Sequence, residues 1–303
     1  MKYLEYLNSI LNASKWSQER LAKELDVSFV TLNSWINNKS TPRLKAQARI
    51  EELYFSITGN LDISTEDLYS IFKKATAINV TAKKIITNKD ILDKLSLYLT
   101  YNTNTIEGST MTLADVNDVI FDNKVLSNRT AIEQLEAKNH QSVLLWIIDQ
   151  LTNNKFELDI EIIKSIHLRL MNGIVSDAGV YRNHTVRIQG SRTTVANYLK
   201  IPDLMVDLVL DVKNKKLDTI VNMTNFHSKF EKIHPFSDGN GRTGRLILLI
   251  MALKSNLVPP IILKEKKYAY YKYLEAAQMD DNIIPLQYFI ASSIISTQEL
   301  LGL

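Results

Sequence analysis

His234-Pro235-Phe236-Ser237-Asp238-Gly239-Asn240-Gly241-Arg242-Thr243-Gly244-Arg245 runs without a break into Leu246-Ile247-Leu248-Leu249-Ile250-Met251-Ala252-Leu253. A loop dense in His, Asp, Asn, Gly and Arg thus leads into a wholly apolar stretch. An apolar stretch of this kind reads as a helix buried on every side. The first amides of a helix have no partner within it, and the helix dipole adds partial positive charge, so the helix start is an anion site. Arg242 and Arg245 stand three apart and project from one side of the first turn. Cations are unfavourable at a helix N-terminus, so something negative is expected on them, and a polyphosphate fits. Gly239, Gly241 and Gly244 also spell the dinucleotide fingerprint, which needs a buried strand just before it and an acid about twenty residues later. Glu231-Lys232-Ile233-His234-Pro235 is no such strand, and Lys264 lies in a polar run after a double Pro. The remaining plain reading is a structural turn with two solvated arginines.

Outward from this loop, helical spacing dominates: Ile132 to Leu151, Ile160 to Leu170 and Met205 to Leu210 repeat apolar residues three and four apart. Beta-branched alternation is clear only in Thr185-Val186-Arg187-Ile188-Gln189, followed by Gly190-Ser191-Arg192 and Thr193-Thr194-Val195, which predicts a hairpin over about 185–197. The fold class is therefore all-α with one β-hairpin. Residues 1–57 form a separate helical block, 58–65 carry turn chemistry and are expected to be a linker, and 66–303 are expected to be one helical domain. Ser64 or Thr65 is placed to cap the next helix.

In the N-terminal block, Ser17 opens an amphipathic helix, Asp26-Val27 turns the chain, and Ser28 caps a second helix ending near Asn37. Leu21, Leu25, Val27, Leu32 and Trp35 would share one core, which is helix-turn-helix geometry. The block resembles the Cro/C1-type helix-turn-helix family through Ser17-Gln18-x-x-Leu21-Ala22, Val27-Ser28, and Trp35 with Asn37-Asn38-Lys39 and Pro42. The resemblance implies DNA as a partner, with Gln18 on a phosphate and Phe29, Val30, Thr31 and Asn33 facing the groove. Phe29 and Val30 depart from the longer polar residues usual there, and no Arg is placed to grip guanine. Asp26 replaces the usual turn Gly, and Asp tolerates the left-handed backbone better than most residues. Eight Lys/Arg against six Asp/Glu leave residues 1–57 at +2, a weak attractor of phosphate. A docking or dimerisation module is the alternative.

The loop His234–Arg245 resembles the signature of the Fic family, H-x-F-x-[D/E]-G-N-G-R-x-x-R, at every specified position, and the likeness extends over about 90–290. It implies an ATP-dependent protein adenylyltransferase that moves AMP onto a Ser, Thr or Tyr hydroxyl of a target protein or of itself. His234 would be the general base, and Phe236 a buried anchor. Asp238 would bind Mg²⁺, and Gly239, Asn240 and Gly241 would cradle the phosphates, with the Asn240 side chain near the α-phosphate. Arg242 and Arg245 would hold the β- and γ-phosphate sides. Val186, Arg187, Ile188 and Gln189, after Tyr181-Arg182, would form a flap that clamps the target. Thr103-Asn104-Thr105-Ile106-Glu107-Gly108 resembles the family's inhibitory motif, in a helix over about 90–108, and implies that Glu107 pairs with Arg245. Tyr271, in Tyr268-Ala269-Tyr270-Tyr271-Lys272-Tyr273, is a candidate to stack on adenine, although core packing explains most of that run. Two alternatives stay open. One is a DNA-binding regulator whose Fic part senses nucleotide or modifies itself; the other is removal of AMP, or transfer of UMP, phosphate or phosphocholine, at the same site.

His227, Glu231 and His234 have metal-like spacing, but Pro235 interrupts the helix and no fourth ligand is evident, so His227 reads as a packed residue. His140, His167 and His184 have no partner pattern. The 303 residues contain no Cys, which removes disulfides, thiol nucleophiles and thiolate metal sites and suits a reducing compartment. The net charge of +3 demands no nucleic acid on its own. Met1-Lys2-Tyr3-Leu4-Glu5 lacks the apolar core of a signal peptide, and Leu246–Leu253 is too short to span a bilayer. A cytoplasmic protein with no membrane partner is the expectation. A second copy of the chain is among the partners left open.

Overall fold

Leu246, Ile247, Leu248, Leu249 and Ile250 are all fully buried, so the apolar run is the axis of the larger part of the molecule. Burying each such side chain contributes about 1.5–3 kcal/mol. The computed structural model describes residues 2–14, 16–58, 63–153, 156–188, 191–212 and 218–303. Gln189 and residues 59–62 of the expected linker lie outside them.

The chain divides into two compact units. The first takes in Met1–Asp62 together with Tyr268–Tyr273. Its helices are α1 (Lys2–Ser14), α2 (Gln18–Glu24), α3 (Phe29–Ile36) and α4 (Leu44–Thr58). Ser17 Oγ accepts Arg20 N and Ser28 Oγ accepts Thr31 N, so each helix of the expected pair starts on a side-chain cap. Asp26 sits at φ 53°, the left-handed turn that its short polar side chain tolerates. Leu21, Leu25, Leu32 and Trp35 join Leu7, Ile10 and Ile50 in one core, against which Val27 packs.

The second unit holds α5 (Thr65–Ala75), α6 (Ala82–Thr87), α7 (Lys89–Ile106), α8 (Leu113–Ile120), α9 (Ala131–Leu151), α10 (Ile160–Met171), α11 (Ile201–Val212), α12 (Thr219–Ile233), α13 (Asn240–Lys254) and α15 (Ile284–Leu301). Helix α14 (Lys267–Met279) contributes its later turns to this unit. Helices α7, α9, α10 and α12 pack round α13, which explains why α13 is apolar on all sides. Gly244 makes the α12 contact possible: a Cβ there would lie 2.7 Å from Glu231 Oε1 and 3.0 Å from His227 Cε1. No helix among the described residues is long and apolar enough to cross a membrane.

The expected hairpin takes a different form. Among the described residues, 185–188 and 191–197 form no strand ladder, and the one isolated bridge joins Asn79 and Leu257. One bond, Ser191 N to Ile188 O at 3.3 Å, joins the arms, and the second arm is otherwise held from outside. Ala196 N donates to Lys232 O at 3.2 Å, while Glu275 accepts Ser191 Oγ, Arg192 N and Arg192 Nε at 3.2, 3.0 and 2.8 Å. Alternation along the first arm persists in burial: Val186 and Ile188 are half-buried and Arg187 is exposed.

Candidate active site

The loop between α12 and α13 begins where α12 ends on His234, whose backbone is left-handed at φ 52° and ψ 61°. This conformation is uncommon outside Gly and reverses the chain within one residue. It is held by Arg182, a buried side chain that donates Nε to His234 O (2.7 Å), Nη1 to His184 O (2.7 Å), and Nη2 to Ala196 O (2.6 Å) and Ile233 O (3.3 Å). The cation thereby satisfies the last carbonyls of α12, where the helix dipole favours positive charge.

The imidazole of His234 lies with Nδ1 3.3 Å from Glu231 O. A carbonyl only accepts, so Nδ1 carries the proton and Nε2 keeps its lone pair in the neutral ring. Burial lowers the pKa of His234, and Arg182 works the same way; together they outweigh the Glu231 hydrogen bond and the charges of Glu107 and Asp238.

Phe236 is fully buried and stacks on His167 with centroids 3.7 Å apart and planes 2° from parallel. His167 accepts Gly179 N at Nδ1 (2.8 Å) and donates Nε2 to Asp238 O (2.9 Å). Burial first of all pushes it down to about 4, so it is neutral. No local pattern singles out His167, because its partners are 12 and 71 positions away. Gly239 at φ 74° follows; a Cβ there would meet Met171 Sδ at 2.7 Å.

Asn240 takes a place different from the one expected. Its Oδ1 accepts Phe236 N (2.9 Å) and its Nδ2 donates to Phe236 O (2.8 Å), so the buried carboxamide shapes the loop instead of lining it. Gly239, at the N-cap of α13, offers no side-chain acceptor to the first amides of that helix. Asp238 stands at the mouth with its side chain 60% exposed, Oδ1 accepting Gly239 N at 2.6 Å and Oδ2 3.5 Å from Arg242.

Both arginines are buried, and both meet acids from other helices. Arg242 donates to Glu136 Oε1 of α9 at 2.5 Å. Arg245 donates Nε to Thr103 Oγ1 (2.7 Å) and Nη2 to Glu107 Oε1 (2.5 Å). Thr103 and Glu107 are thus one turn apart at the end of α7 and act on the same guanidinium. Burial works to raise the Glu107 pKa, but the charge and hydrogen bond of Arg245, with Arg242 and Lys267, hold it below its ordinary value. A Cβ on Gly241 would lie 2.3 Å from Glu107 Oε1, so the carboxylate rests directly against the start of α13. No local pattern marks Glu136; only the fold brings it to Arg242, 106 positions along the chain.

A family model described as Fic/DOC matches residues 157–252, and a helix-turn-helix model matches 7–56. The chain carries a Fic/DOC domain. A protein adenylyltransferase fic-1 of Caenorhabditis briggsae is 30% identical over 206 residues, covering 67% of this chain and 40% of the relative. A protein adenylyltransferase Fic of Nematostella vectensis is 25% identical over 272 residues, covering 89% of this chain and 61% of the relative. The chain therefore spans less than two thirds of either relative. Fic-1 residues 134–508 from C. elegans share the fold with a TM-score of 0.66 at 20% identity, over 94% of this chain and 84% of that one.

The second unit gathers His234, Asp238, Gly239, Gly241, Arg242, Arg245 and Glu107 round one helix start. Tyr271 belongs to the first unit, where its ring lies 5.3 Å from that of Tyr270. His227 is fully buried against Gly244 and is pushed down to about 3, chiefly by burial. No cluster of three metal-binding side chains occurs among the described residues. In the first unit, Phe29 and Val30 are exposed at the start of α3. Thr31 Oγ1 lies 2.8 Å from Ser28 Oγ, and Asn33 Nδ2 donates to Gln18 Oε1 at 3.4 Å.

Proposed function

We propose that the chain is a protein adenylyltransferase that moves AMP from ATP to a protein hydroxyl and is restrained by its own Glu107. The observation that carries the reading is the loop's pairing of an imidazole lone pair with two buried guanidiniums at an uncapped helix start. His234 Nε2 takes the proton of the attacking hydroxyl, whose oxygen bonds to the α-phosphorus as the bond to pyrophosphate breaks. A placed base of this kind contributes about 10²–10⁴-fold. Arg242, Arg245 and the first amides of α13 hold the departing charge. Asp238 is a hard oxygen ligand open to solvent beside the cradle and fits Mg²⁺, which binds through one or two carboxylates with phosphate oxygens and water. When bound, the ion neutralises phosphate charge. The relatives' names support this activity, and the Glu107–Arg245 contact supports the restraint.

Glu107 occupies the donor that a γ-phosphate would use, so a nucleotide entering beside it is misaligned for attack. Incubation with α-labelled ATP and Mg²⁺ is the test. Glu107→Gly is expected to raise incorporation into the chain or a target, and unchanged labelling would reject the restraint. The adduct mass separates AMP from UMP, phosphate or phosphocholine. The target is proposed to lie along Val186, Arg187, Ile188 and Gln189, and a Pro scan of these positions is expected to weaken its modification.

The first unit is proposed to dock on DNA in a cytoplasmic setting. Its helix-turn-helix match and the exposed Phe29 and Val30, which suit thymine methyl groups, support that reading. With +2 of charge the expected gel shift is weak and falls steeply as salt rises. A shift insensitive to salt would reject it.

A further inference from the structure

The chain that leaves Glu107 is fixed within three residues. Gly108, at φ 110°, donates its amide to Thr105 O (3.1 Å), and Ser109 N returns to Asn104 O (3.0 Å). Thr110 is then taken by Glu133 of α9. Glu133 Oε1 accepts Thr110 N (2.7 Å), Thr110 Oγ1 (2.8 Å) and Ser109 Oγ (3.5 Å). Its Oε2 accepts Thr130 N (3.2 Å) and Thr130 Oγ1 (2.8 Å), which closes the capping box of α9. One carboxylate therefore caps one helix and tethers the end of another. A single turn along α9, Glu136 holds Arg242. The same helix thus references both the restraining segment and the loop it restrains.

The tether matters because Glu107 sits where helices fray. Its amide reaches Thr103 O only at 3.4 Å, and its side chain is 30% exposed, so packing alone does not enclose it. The backbone N–H of Thr110 is the largest influence on Glu133; with the Thr110 and Thr130 hydroxyls it overcomes burial and holds the carboxyl at about 2. The tether is therefore charged throughout the neutral range.

We infer that Glu133 is a positioning residue of the restraint: by holding Ser109 and Thr110 it keeps the Glu107 carboxylate on Arg245. The inference rests on the adenylyl-transfer reading and extends it to how the restraint is held in place. Its test uses the full chain, with α-labelled ATP and Mg²⁺ for self-labelling and hydrogen exchange over 103–110 as a readout independent of chemistry. Glu133→Ala is expected to raise labelling about tenfold, the size of one charge-assisted hydrogen bond, and to speed exchange over that segment. Glu133→Gln, which keeps an acceptor for Thr110 N, is expected to fall between. In a Glu107→Gly background Glu133→Ala is expected to add nothing. Thr130→Ala breaks the capping box but leaves the bonds to Thr110, and is expected to label like the unaltered chain.

Three outcomes overturn the inference: Glu133→Ala exchanging and labelling like the unaltered chain, the same gain appearing without Glu107, or Thr130→Ala matching Glu133→Ala. If no variant labels, Glu107→Gly included, while exchange quickens in Glu133→Ala alone, the transfer reading falls and the tether stands.

Discussion

His234 combines three constraints that pull in one direction. Its left-handed backbone aims the side chain back over the end of α12, Glu231 O fixes the proton on Nδ1, and burial disfavours the charged ring. On the proposed reading His234 is a base, which must be neutral to accept a proton, and burial favours that form. Removing the imidazole in His234→Ala is expected to lower labelling by at least about 10²-fold in the released Glu107→Gly chain. The same chain yields a pH profile. Because the pKa of His234 lies below its ordinary 6.5, the rate should be flat above pH 6.5 and fall on an acid limb below it. A limb centred above 6.5 would contradict the geometry. His234 and the glycines near it were legible in the sequence because a local pattern carries them. The tautomer was not, since it depends on where the end of α12 leaves a carbonyl.

At the scale of elements, the loop stands on contacts between parts distant in sequence. Arg182 donates to four carbonyls, from residues 184, 196, 233 and 234. The sequence marked it only as a neighbour of the expected hairpin, because the carbonyls it serves leave no trace in residue type. Arg182→Met keeps much of the apolar volume but abandons those acceptors, at a cost of about 1–3 kcal/mol for each buried group left unpaired. Urea unfolding of the second unit should show a loss of about 3 kcal/mol or more, with labelling abolished; a loss under about 1 kcal/mol would mean water replaces the guanidinium. Gly244→Ala tests the helix pair beneath the loop. The added methyl would overlap Glu231 Oε1, and overpacking of this kind costs about 1–3 kcal/mol. The hairpin shows the converse limit. Alternation shows in the burial of residues 186–188, yet it does not say what holds the second arm, which rests on Glu275 and Lys232 besides its one bond to Ile188 O.

Over the whole second unit, the helical fold and the buried α13 follow from local spacing, while the titratable groups buried round them follow only from packing. Burial above all pushes His140 and His227 down to about 3 and His167 to about 4; the positive charges of Arg245 or Arg242 add to it. In the unfolded chain each takes a proton near pH 6.5, but in the folded unit none does until far lower. Below pH 6.5 the unfolded state therefore binds more protons, and stability falls as pH drops, by about 2 kcal/mol per histidine at pH 5. Glu231 acts in the opposite sense. Burial, aided by Glu107 and opposed by Arg245, raises it to about 8, and its Oε1 has no hydrogen-bond partner. The folded unit keeps that proton to about 8 while the unfolded chain loses it at about 4.5, so its contribution fades as pH rises between those values. Three histidines against one acid make stability climb to about pH 6.5 and then decline. Calorimetry at pH 5, 6.5 and 8, which resolves separate transitions for separate units, should give the highest midpoint for the second unit at 6.5. In Glu231→Gln, which cannot ionise, the decline from 6.5 to 8 should vanish while the acid-side fall remains. An unaltered alkaline decline in that variant would mean Glu231 is already charged beneath Arg245, and the neutral acid under the loop would have to be abandoned.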